Sequence, residues 1–308
     1  MSGPSIRIVP MRVAVIDVGS NTVRLLIADV KADGEVVQVA RERDYLRLGA
    51  EIERTGTLGA AKIAECAGVC AGYARLASDF EVDRATVIVT APGRQGAAAA
   101  TLIEALEDAT ALHIRVLTAE SEGRLAYDGA VSRSTEPLPD VVAVVDVGGG
   151  STEIAIGTPL LGAAWVRSAD LGSLRLTRAK LHSDPPSSDE IDEARRHVTQ
   201  AFAVIGSPPT PDLALAVGGS ARAIAKIVGP TFGEKSLRRV IQEFSARPAA
   251  KVVRGTTIGT ARAETMVAGA LLLEAAVARL GRPLNLAAGG LREGAALALA
   301  HEAAAAAA

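Results

Sequence analysis

The sequence has few aromatic residues: they make up 3% of its 308 residues, although 49% of the residues are hydrophobic. Aliphatic side chains must therefore fill the interior, which is typical of layered α/β proteins. Neither sign of charge is in excess, since 35 acidic and 33 basic residues give a net charge of −2. Because no overall positive field attracts polyanions, we expect no nucleic-acid partner, and any affinity for anions must come from local groups.

Cysteine is scarce, with Cys66 and Cys70 as the only two. Their spacing puts both thiols on one face of a predicted helix, and no histidine lies near them in sequence. We predict two buried thiols, with a metal-ligand pair or a redox switch as the alternatives. The low cysteine content suits a reducing cytosol.

Long hydrophobic runs are missing as well. The opening MSGPSIRIVP lacks the apolar centre of a signal peptide, and the most apolar stretch, MVAGALLLEAAVA from Met266, is too short to cross a membrane and contains Glu274. We therefore expect a cytoplasmic protein with no membrane partner. The 4 histidines are scattered and form no recognisable catalytic motif, so we expect carboxylates to be the catalytic groups.

The most informative stretch is VVAVVDVGGGSTEIAIG at residues 141–157. An apolar run that ends on Asp146, passes through glycines and hydroxyls and then becomes apolar again predicts a strand, a tight loop and a second strand. A carboxylate followed by residues without side chains suits a site for phosphate and a cation. An ordinary hairpin whose glycines only supply positive φ angles is the alternative. The predicted phosphate loop consists of Gly148, Gly149, Gly150 and Ser151.

A second copy of this pattern lies near the N-terminus, at residues 12–28, RVAVIDVGSNTVRLLIA. Asp17 has the place of Asp146, and a glycine and a hydroxyl follow at the same distances. Repetition of this unit predicts two related domains that face one another across a cleft, with loops that grip consecutive phosphates. We place the domains at residues 1–135 and 136–308 and allow the last helix to pack back on the first domain.

Hydrophobic periodicity and turn signals assign the other elements. Beyond the two repeated hairpins, strands are predicted at residues 35–42, 86–90, 114–117, 163–168, 213–217 and 284–287. Helices are predicted at residues 58–80, 97–110, 118–131, 187–205, 221–228, 236–245 and 260–280, with a terminal helix opened by 289–294. Residues 45–56 are predicted to form a loop. A meander followed by alternating helices and strands is the order of a ribonuclease H-like domain.

Two further features are candidates for the site. Glu122 lies just beyond a predicted strand, in the first turn of the helix that leads to the linker at residues 134–139, where the cleft is expected. An acid that merely favours the helix dipole is the alternative. Gly218, Gly219 and Ser220 form a strand-to-helix turn whose backbone N–H groups can bind an anion.

Seven blocks in this order resemble the exopolyphosphatase and guanosine pentaphosphate phosphohydrolase family over nearly the whole chain. They are AVIDVGSNTVRLLI (14–27), VIVTAPGR (87–94), VLTAESEGRLAYDG (116–129), VVDVGGGSTEIAIG (144–157), DLGSLRLT (170–177), AVGGSARAIA (216–225) and GGLREGAAL (289–297). The resemblance implies the actin-like ATPase fold of two ribonuclease H-like domains. It also implies removal of the terminal phosphate from inorganic polyphosphate or guanosine pentaphosphate with magnesium, or manganese in its place, and it allows a homodimer.

Roles follow from the resemblance position by position. Glu122 corresponds to the catalytic glutamate that activates water, and Asp146 and Glu153 correspond to the acids associated with the metal and with catalysis. Asp17, the counterpart of Asp146 in the repeat, is a third metal candidate. The residues expected on the phosphate side are Ser20, Asn21, Arg94, Gly148, Gly149, Gly150, Ser151, Gly218, Gly219 and Ser220.

The chain departs from the family pattern at two places. In the glutamate block, Thr118, Ala119, Ser121 and Gly123 replace the usual Ser, Gly, first Glu and Ala, and Pro92-Gly93 precede Arg94. Otherwise the chain resembles the short, two-domain members of the family. Two alternative functions stay open: an actin-like ATPase or small-metabolite kinase, and a non-hydrolytic sensor that binds polyphosphate or an alarmone.

Overall fold

The computed structural model describes residues 9–94, 97–254 and 257–306, so most of the opening stretch MSGPSIRIVP lies outside the described residues. The chain forms two compact units, one made of residues 1–133 and 289–308 and the other of residues 134–288. Each unit contains one mixed β-sheet, of five strands in the first and six in the second. The predicted α/β class is confirmed.

The first unit opens with an antiparallel meander of β1 (Met11–Val18), β2 (Val23–Val30) and β3 (Val36–Asp44). Helices and parallel strands then alternate: α1 (Leu48–Thr55), α2 (Ala60–Asp79), β4 (Arg84–Val89), α3 (Ala91–Arg94), α4 (Ala99–Thr110), β5 (Ile114–Val116) and α5 (Ala119–Ser132). The sheet order is β3-β2-β1-β4-β5, with β4 parallel to β1 and β5 parallel to β4. The meander followed by alternation is therefore confirmed.

The second unit repeats this plan. Its meander consists of β6 (Val142–Val147), β7 (Thr152–Thr158) and β8 (Gly162–Ala169). The elements that follow are α6 (Ser173–Lys180), α7 (Ser188–Ala201), a 3₁₀ turn (Phe202–Ile205), β9 (Leu213–Val217), α8 (Gly218–Val228), β10 (Thr231–Phe232), α9 (Glu234–Ser245), α10 (Ala249–Val252), α11 (Thr260–Ala263), α12 (Met266–Leu280) and β11 (Leu284–Leu286). The sheet order is β10-β11-β9-β6-β7-β8. Strand β9 runs parallel to β6, as β4 does to β1 in the first unit.

The chain ends in α13 (Leu291–Ala306), which belongs to the first unit. Alternate residues of β1 point to opposite faces of the sheet, so that Ala14 and Ile16 pack in one core with α2 and α4. Val13 and Val15 pack in a second core with alanines of α13. The first sheet is thus covered on both faces, which explains the continuous apolar runs of its central strands.

Glycine brings α13 into backbone contact with α5. A Cβ atom on Gly129 would lie 2.0 Å from the carbonyl oxygen of Gly290, and one on Gly294 would lie 1.9 Å from that of Leu125. No side chain fits at such distances, because the obstacle is backbone that cannot rotate away. The glycines of the 116–129 and 289–297 blocks therefore have a common structural function, which is to join these two helices.

Two secondary-structure predictions were wrong. Residues 45–56 were expected to form a loop, but they contain α1, which has no side-chain cap and starts from Arg47 in the left-handed conformation, so that the usual sequence signal for a helix start is missing. The single helix expected at residues 260–280 is interrupted between α11 and α12.

Two local predictions are confirmed. The helix predicted from residue 187 starts there, where the Ser187 hydroxyl and the Glu190 carboxylate form a capping box for α7. Cys66 and Cys70 are buried, unoxidised thiols on one face of α2.

Among the described residues, no helix has both the length and the apolar character needed to cross a bilayer.

Candidate active site

The two predicted phosphate loops have the same backbone structure. In the first unit, the N–H of Gly19 donates to the carbonyl of Thr22 over 3.0 Å, closing the turn between β1 and β2. In the second unit, the N–H of Gly148 donates to the carbonyl of Ser151 over the same 3.0 Å, between β6 and β7. The repeat inferred from sequence is therefore a repeat of hydrogen bonds as well.

Each loop is hydrogen-bonded to the first turn of the helix that follows the third strand of its meander. The Ser20 carbonyl accepts the Gly49 N–H (2.8 Å), and the Gly149 carbonyl accepts the Leu174 N–H (3.0 Å). A Cβ on Gly49 would lie 2.8 Å from the Cβ of Ser20. A Cβ on Gly172 would lie 2.4 Å from the carbonyl carbon of Gly149. Both helix starts therefore need a glycine against the loop.

This second repeated motif was missed in the sequence analysis. Leu48-Gly49-Ala50 and Leu171-Gly172-Ser173 have the same pattern, in which a buried leucine precedes the contacting glycine. The signal was present in the printed sequence, but the short first copy was assigned to a loop.

The carbonyl contacts orient the opposite side of each loop. The carbonyls of Ser20 and Gly149 accept hydrogen bonds from N–H groups at the starts of helices. The N–H groups of each loop therefore point away from those helices. Within the described part of the chain, the N–H groups of Ser20, Asn21, Gly149 and Gly150 donate to no other protein group. Successive N–H groups of this kind form an anion-binding concavity.

Glu122 lies at the carboxyl edge of the parallel strands of the first unit. Thr118 follows β5 and caps α5, its hydroxyl accepting the Ser121 N–H over 3.0 Å. This cap starts the helix so that Glu122 falls in the first turn, where it is 8% exposed. Asp17 near the end of β1 and Arg94 after β4 lie at the same edge of the sheet, because those strands are parallel.

Arg94 contacts this glutamate directly. Its guanidinium donates both to the Glu122 carboxylate and to the carbonyl of Leu117. The short α3 turn that includes Pro92 and Gly93 thus places Arg94 in spite of the unusual sequence of this loop. The pair was not predicted, since sequence alone did not indicate that the two residues meet.

The acids of the second unit share a face of its sheet. Asp146 and Glu153 are directly paired across β6 and β7, and cross-strand partners have neighbouring side chains. Glu153 is 3% exposed and accepts a hydrogen bond from the Ser168 hydroxyl (2.8 Å). A Cβ on Gly218, which has a φ of +85°, would lie 2.5 Å from Oδ1 of Asp146. The Asp146 carboxylate therefore lies against the turn that starts α8.

Asp17 has different surroundings. Its cross-strand partner is Arg24, which opposes its negative charge. Burial raises the pKa of the Asp17 carboxyl, and the neighbouring Arg24 and Arg292 act against this shift, while Glu293 adds to it. Asp17 thus faces arginine, whereas Asp146 faces a second acid.

The acids of the second unit fit a divalent cation. Two neighbouring carboxylates supply oxygen ligands of the kind that magnesium prefers. Among the described residues, no group of three or more His, Cys, Asp or Glu side chains forms a complete metal cage. Magnesium needs only one or two protein carboxylates when water and substrate phosphates supply the remaining ligands.

The turn of Gly218, Gly219 and Ser220 is already the start of α8, three residues earlier than the predicted helix. Ser220 is 2% exposed, and its hydroxyl lies 3.5 Å from the guanidinium of Arg262. The structure thus brings the predicted residues together in two groups, one in each compact unit. The first contains Asp17, Ser20, Asn21, Arg94 and Glu122, and the second contains Asp146, Gly148, Gly149, Gly150, Ser151, Glu153, Gly218, Gly219 and Ser220.

The chain is similar to curated exopolyphosphatases. Exopolyphosphatase 2 of Mycobacterium tuberculosis is 38% identical over 201 residues, so that the chain spans 61% of the length of this relative, and 61% of the chain is matched. Exopolyphosphatase 1 of Mycobacterium tuberculosis is 26% identical over 288 residues, which cover 88% of this chain and 82% of the relative.

One solved structure and the sequence pattern of one protein family also match this chain. The Ppx/GppA enzyme of Aquifex aeolicus has a TM-score of 0.78 at 27% identity and covers 94% of this chain and 100% of its own. This likeness confirms the predicted actin-like ATPase fold of two domains. The sequence pattern of the Ppx/GppA phosphatase family matches residues 26–303. The chain therefore belongs to the Ppx/GppA phosphatase family.

Proposed function

We propose that this protein hydrolyses the terminal phosphoanhydride bond of inorganic polyphosphate. The observation that carries the proposal is the position of Glu122, a nearly buried acid beside Arg94 at the same sheet edge as the loop of Ser20 and Asn21. The names of the mycobacterial relatives, both exopolyphosphatases, support the choice of substrate. The terminal phosphate of guanosine pentaphosphate is joined by the same kind of bond and is the second substrate that we propose.

Glu122 acts as the general base in this proposal. Cleavage of a phosphoanhydride requires alignment, neutralisation of charge and a base for the attacking water, with little covalent chemistry from the protein. Arg94 is well placed to orient the Glu122 carboxylate, since it is held in turn by the carbonyl of Leu117. The same guanidinium can donate to a phosphate oxygen, because it carries five N–H donors.

The loops bind the phosphate oxygens. The donors are the N–H groups of Ser20 and Asn21 in the first unit and of Gly149 and Gly150 in the second. Among the described residues, these N–H groups donate to no protein acceptor. Fixed dipoles of this kind stabilise negative charge without reorganising during the reaction. The helix start at Gly218, Gly219 and Ser220 adds further donors.

Asp146 and Glu153 are the residues that would hold a magnesium ion, with manganese as a substitute. The cation would neutralise phosphate charge and polarise the bond under attack. Asp17 remains a candidate. We propose the two acids of the second unit as the main ligands, because Asp146 and Glu153 are directly paired across β6 and β7. We further propose that the reaction occurs in the cytoplasm.

A single assay separates this function from the alternatives. Phosphate release is measured side by side from tripolyphosphate, long-chain polyphosphate, guanosine pentaphosphate and ATP, each with magnesium and with a chelator. Magnesium-dependent release from polyphosphate is the expected result. Transfer from ATP to an added acceptor, with polyphosphate left intact, would indicate a kinase, and tight polyphosphate binding with no release would indicate a sensor.

A further inference from the structure

The end of strand β3 separates its charges onto two faces of the first sheet. Residues 41–44 read Arg-Glu-Arg-Asp, and successive side chains of a strand point to opposite faces. All four residues are exposed. The two arginines therefore lie on one face and the two acids on the other, although the net charge of this segment is zero.

The acidic face is the one that packs against α2. Asp44 accepts a hydrogen bond from the hydroxyl of Tyr73 in α2 over 2.6 Å. Its cross-strand partner is Val23, a member of the core formed with α2. Asp44 therefore has a structural partner, and the acids of this segment lie away from the face that carries the arginines.

The arginine face belongs to the other side of the sheet. Arg41 is paired across the strands with Leu26, whose side chain packs in the core formed with α13. Arg43 is paired with Arg24. Within the described ranges, neither Arg41 nor Arg43 forms an ion pair. Arg43 instead lies over the exposed ring of Tyr45, with 5.0 Å between the guanidinium carbon and the ring centroid.

This arginine face adjoins the first phosphate loop. The guanidinium of Arg24 donates to the hydroxyl of Thr22, the last residue of that loop, over 3.0 Å. Arg24 stands between Asp17 on β1 and Arg43 on β3. Asp17 opposes the charge of Arg24, whereas the cross-strand partner of Arg43 is Arg24 itself, so Arg43 has no acid opposite it.

We propose that Arg41 and Arg43 bind the part of an extended phosphate chain that continues beyond the loop of Ser20 and Asn21. The path runs from the loop past Arg24 on β2 to Arg43 on β3 and crosses one strand spacing, or roughly 5 Å. Guanidinium groups suit this ligand, because their forked donors match phosphate oxygens. This inference rests on the proposed function, since it extends the same binding site.

The test compares substrates of different length. In an R41Q/R43Q variant, the KM for long-chain polyphosphate is expected to rise about tenfold, with kcat unchanged and the KM for tripolyphosphate unchanged. The matched control is R84Q, in which an exposed arginine at the opposite end of β4 is lost. An equal change for both substrates, or an equal change in the control, would overturn the proposal.

A binding measurement keeps the inference testable if the protein releases no phosphate. Long-chain polyphosphate is titrated calorimetrically into the wild-type protein and both variants. Weaker binding by R41Q/R43Q alone supports the chain-binding face even if the proposed hydrolysis fails. Equal affinity of all three proteins contradicts the proposal. Tighter binding of single-stranded RNA than of polyphosphate to this face also contradicts the proposal.

Discussion

Arg94 and Glu122 form an ion pair within the first compact unit, joining the turn after β4 to the first turn of α5. The acid is nearly buried, and its partner is anchored a second time on the carbonyl of Leu117. The pair therefore connects the two sequence blocks, 87–94 and 116–129, that showed departures from the family pattern. Its geometry indicates that these departures have left a positioned acid in place.

Glu122→Gln is expected to lower kcat by about 10²- to 10⁴-fold, because the amide cannot accept the proton of the attacking water. Substrate binding should persist, since the variant keeps the size of the side chain and the loops are untouched. Glu120→Gln is the matched control: Glu120 lies in the same helical turn but is exposed and pairs with Arg124 over 2.8 Å. Phosphate release is measured for both variants. Near-normal turnover in Glu122→Gln would remove this residue from the mechanism.

Asp146→Asn is expected to raise the magnesium concentration that gives half-maximal activity. The substitution removes one of two paired carboxylates, which weakens attraction for the cation while preserving side-chain shape. Asp140→Asn serves as the control, since Asp140 is exposed just before β6. The measurement is a magnesium titration of phosphate release. If both variants titrate like the wild type, Asp146 is not a metal ligand.

The repeat could be recognised from sequence because both copies keep the same order of acid, glycine and hydroxyl between apolar strands. Hydrophobic alternation and turn residues determine such hairpins locally. That order also indicated the residues of the two loops, whose matching hydrogen bonds from Gly19 and Gly148 are now visible. The assigned roles of Glu122, Asp146 and Glu153 stay predictions until they are tested.

Contacts between segments that are distant in sequence could not be predicted. The need for Gly129 arises from the carbonyl of Gly290, and the need for Gly294 arises from the carbonyl of Leu125. Neither contact leaves a local signal beyond the glycine itself, and each glycine alone indicates only a turn. The Arg94–Glu122 pair was missed for the same reason, since it depends on two neighbouring parallel strands ending at one edge.

Gly172→Ala tests the support of the second phosphate loop. The added methyl group would lie 2.4 Å from the carbonyl carbon of Gly149 and 2.5 Å from the nitrogen of Gly150, so the loop must shift. Overpacking of this kind costs about 1–3 kcal/mol, and we expect a lower Tm together with weaker phosphate-chain binding. Both are measured, by thermal unfolding and by calorimetric titration of polyphosphate.

The control for that substitution is Gly68→Ala. Gly68 lies inside α2, and a Cβ there meets nothing within 4 Å. Alanine at this position should stabilise the protein by about 0.5–1 kcal/mol, because it favours the helix over the unfolded chain. A Gly172→Ala variant that gains stability like this control would show that the glycine contact is not needed.

Glu190 provides the pH dependence that the structure predicts most directly. Its carboxylate accepts the backbone N–H groups of Ser187, His182 and Ser183 at 2.8–3.0 Å. These bonds, with that from Ser187 as the largest contribution, lower the pKa of Glu190 from 4.5 to about 2. In the unfolded chain the group binds a proton near pH 4.5, whereas in the folded protein it does not until the pH is near 2. The ionised group therefore stabilises the fold fully above pH 4.5, and that stabilisation is lost as the pH falls toward 2.

Glu190→Gln should consequently lower the Tm at pH 7, and the difference from the wild type should shrink as the pH falls from 4.5 toward 2. Thermal unfolding across this range measures the difference. Asp189→Asn removes the same charge from the same turn of α7 and should show a smaller difference at pH 7, since Asp189 accepts no hydrogen bond among the described residues. A Tm difference for Glu190→Gln that is constant with pH would mean that the carboxylate is not held by these three amides, and that α7 depends on the Ser187 hydroxyl alone for its cap.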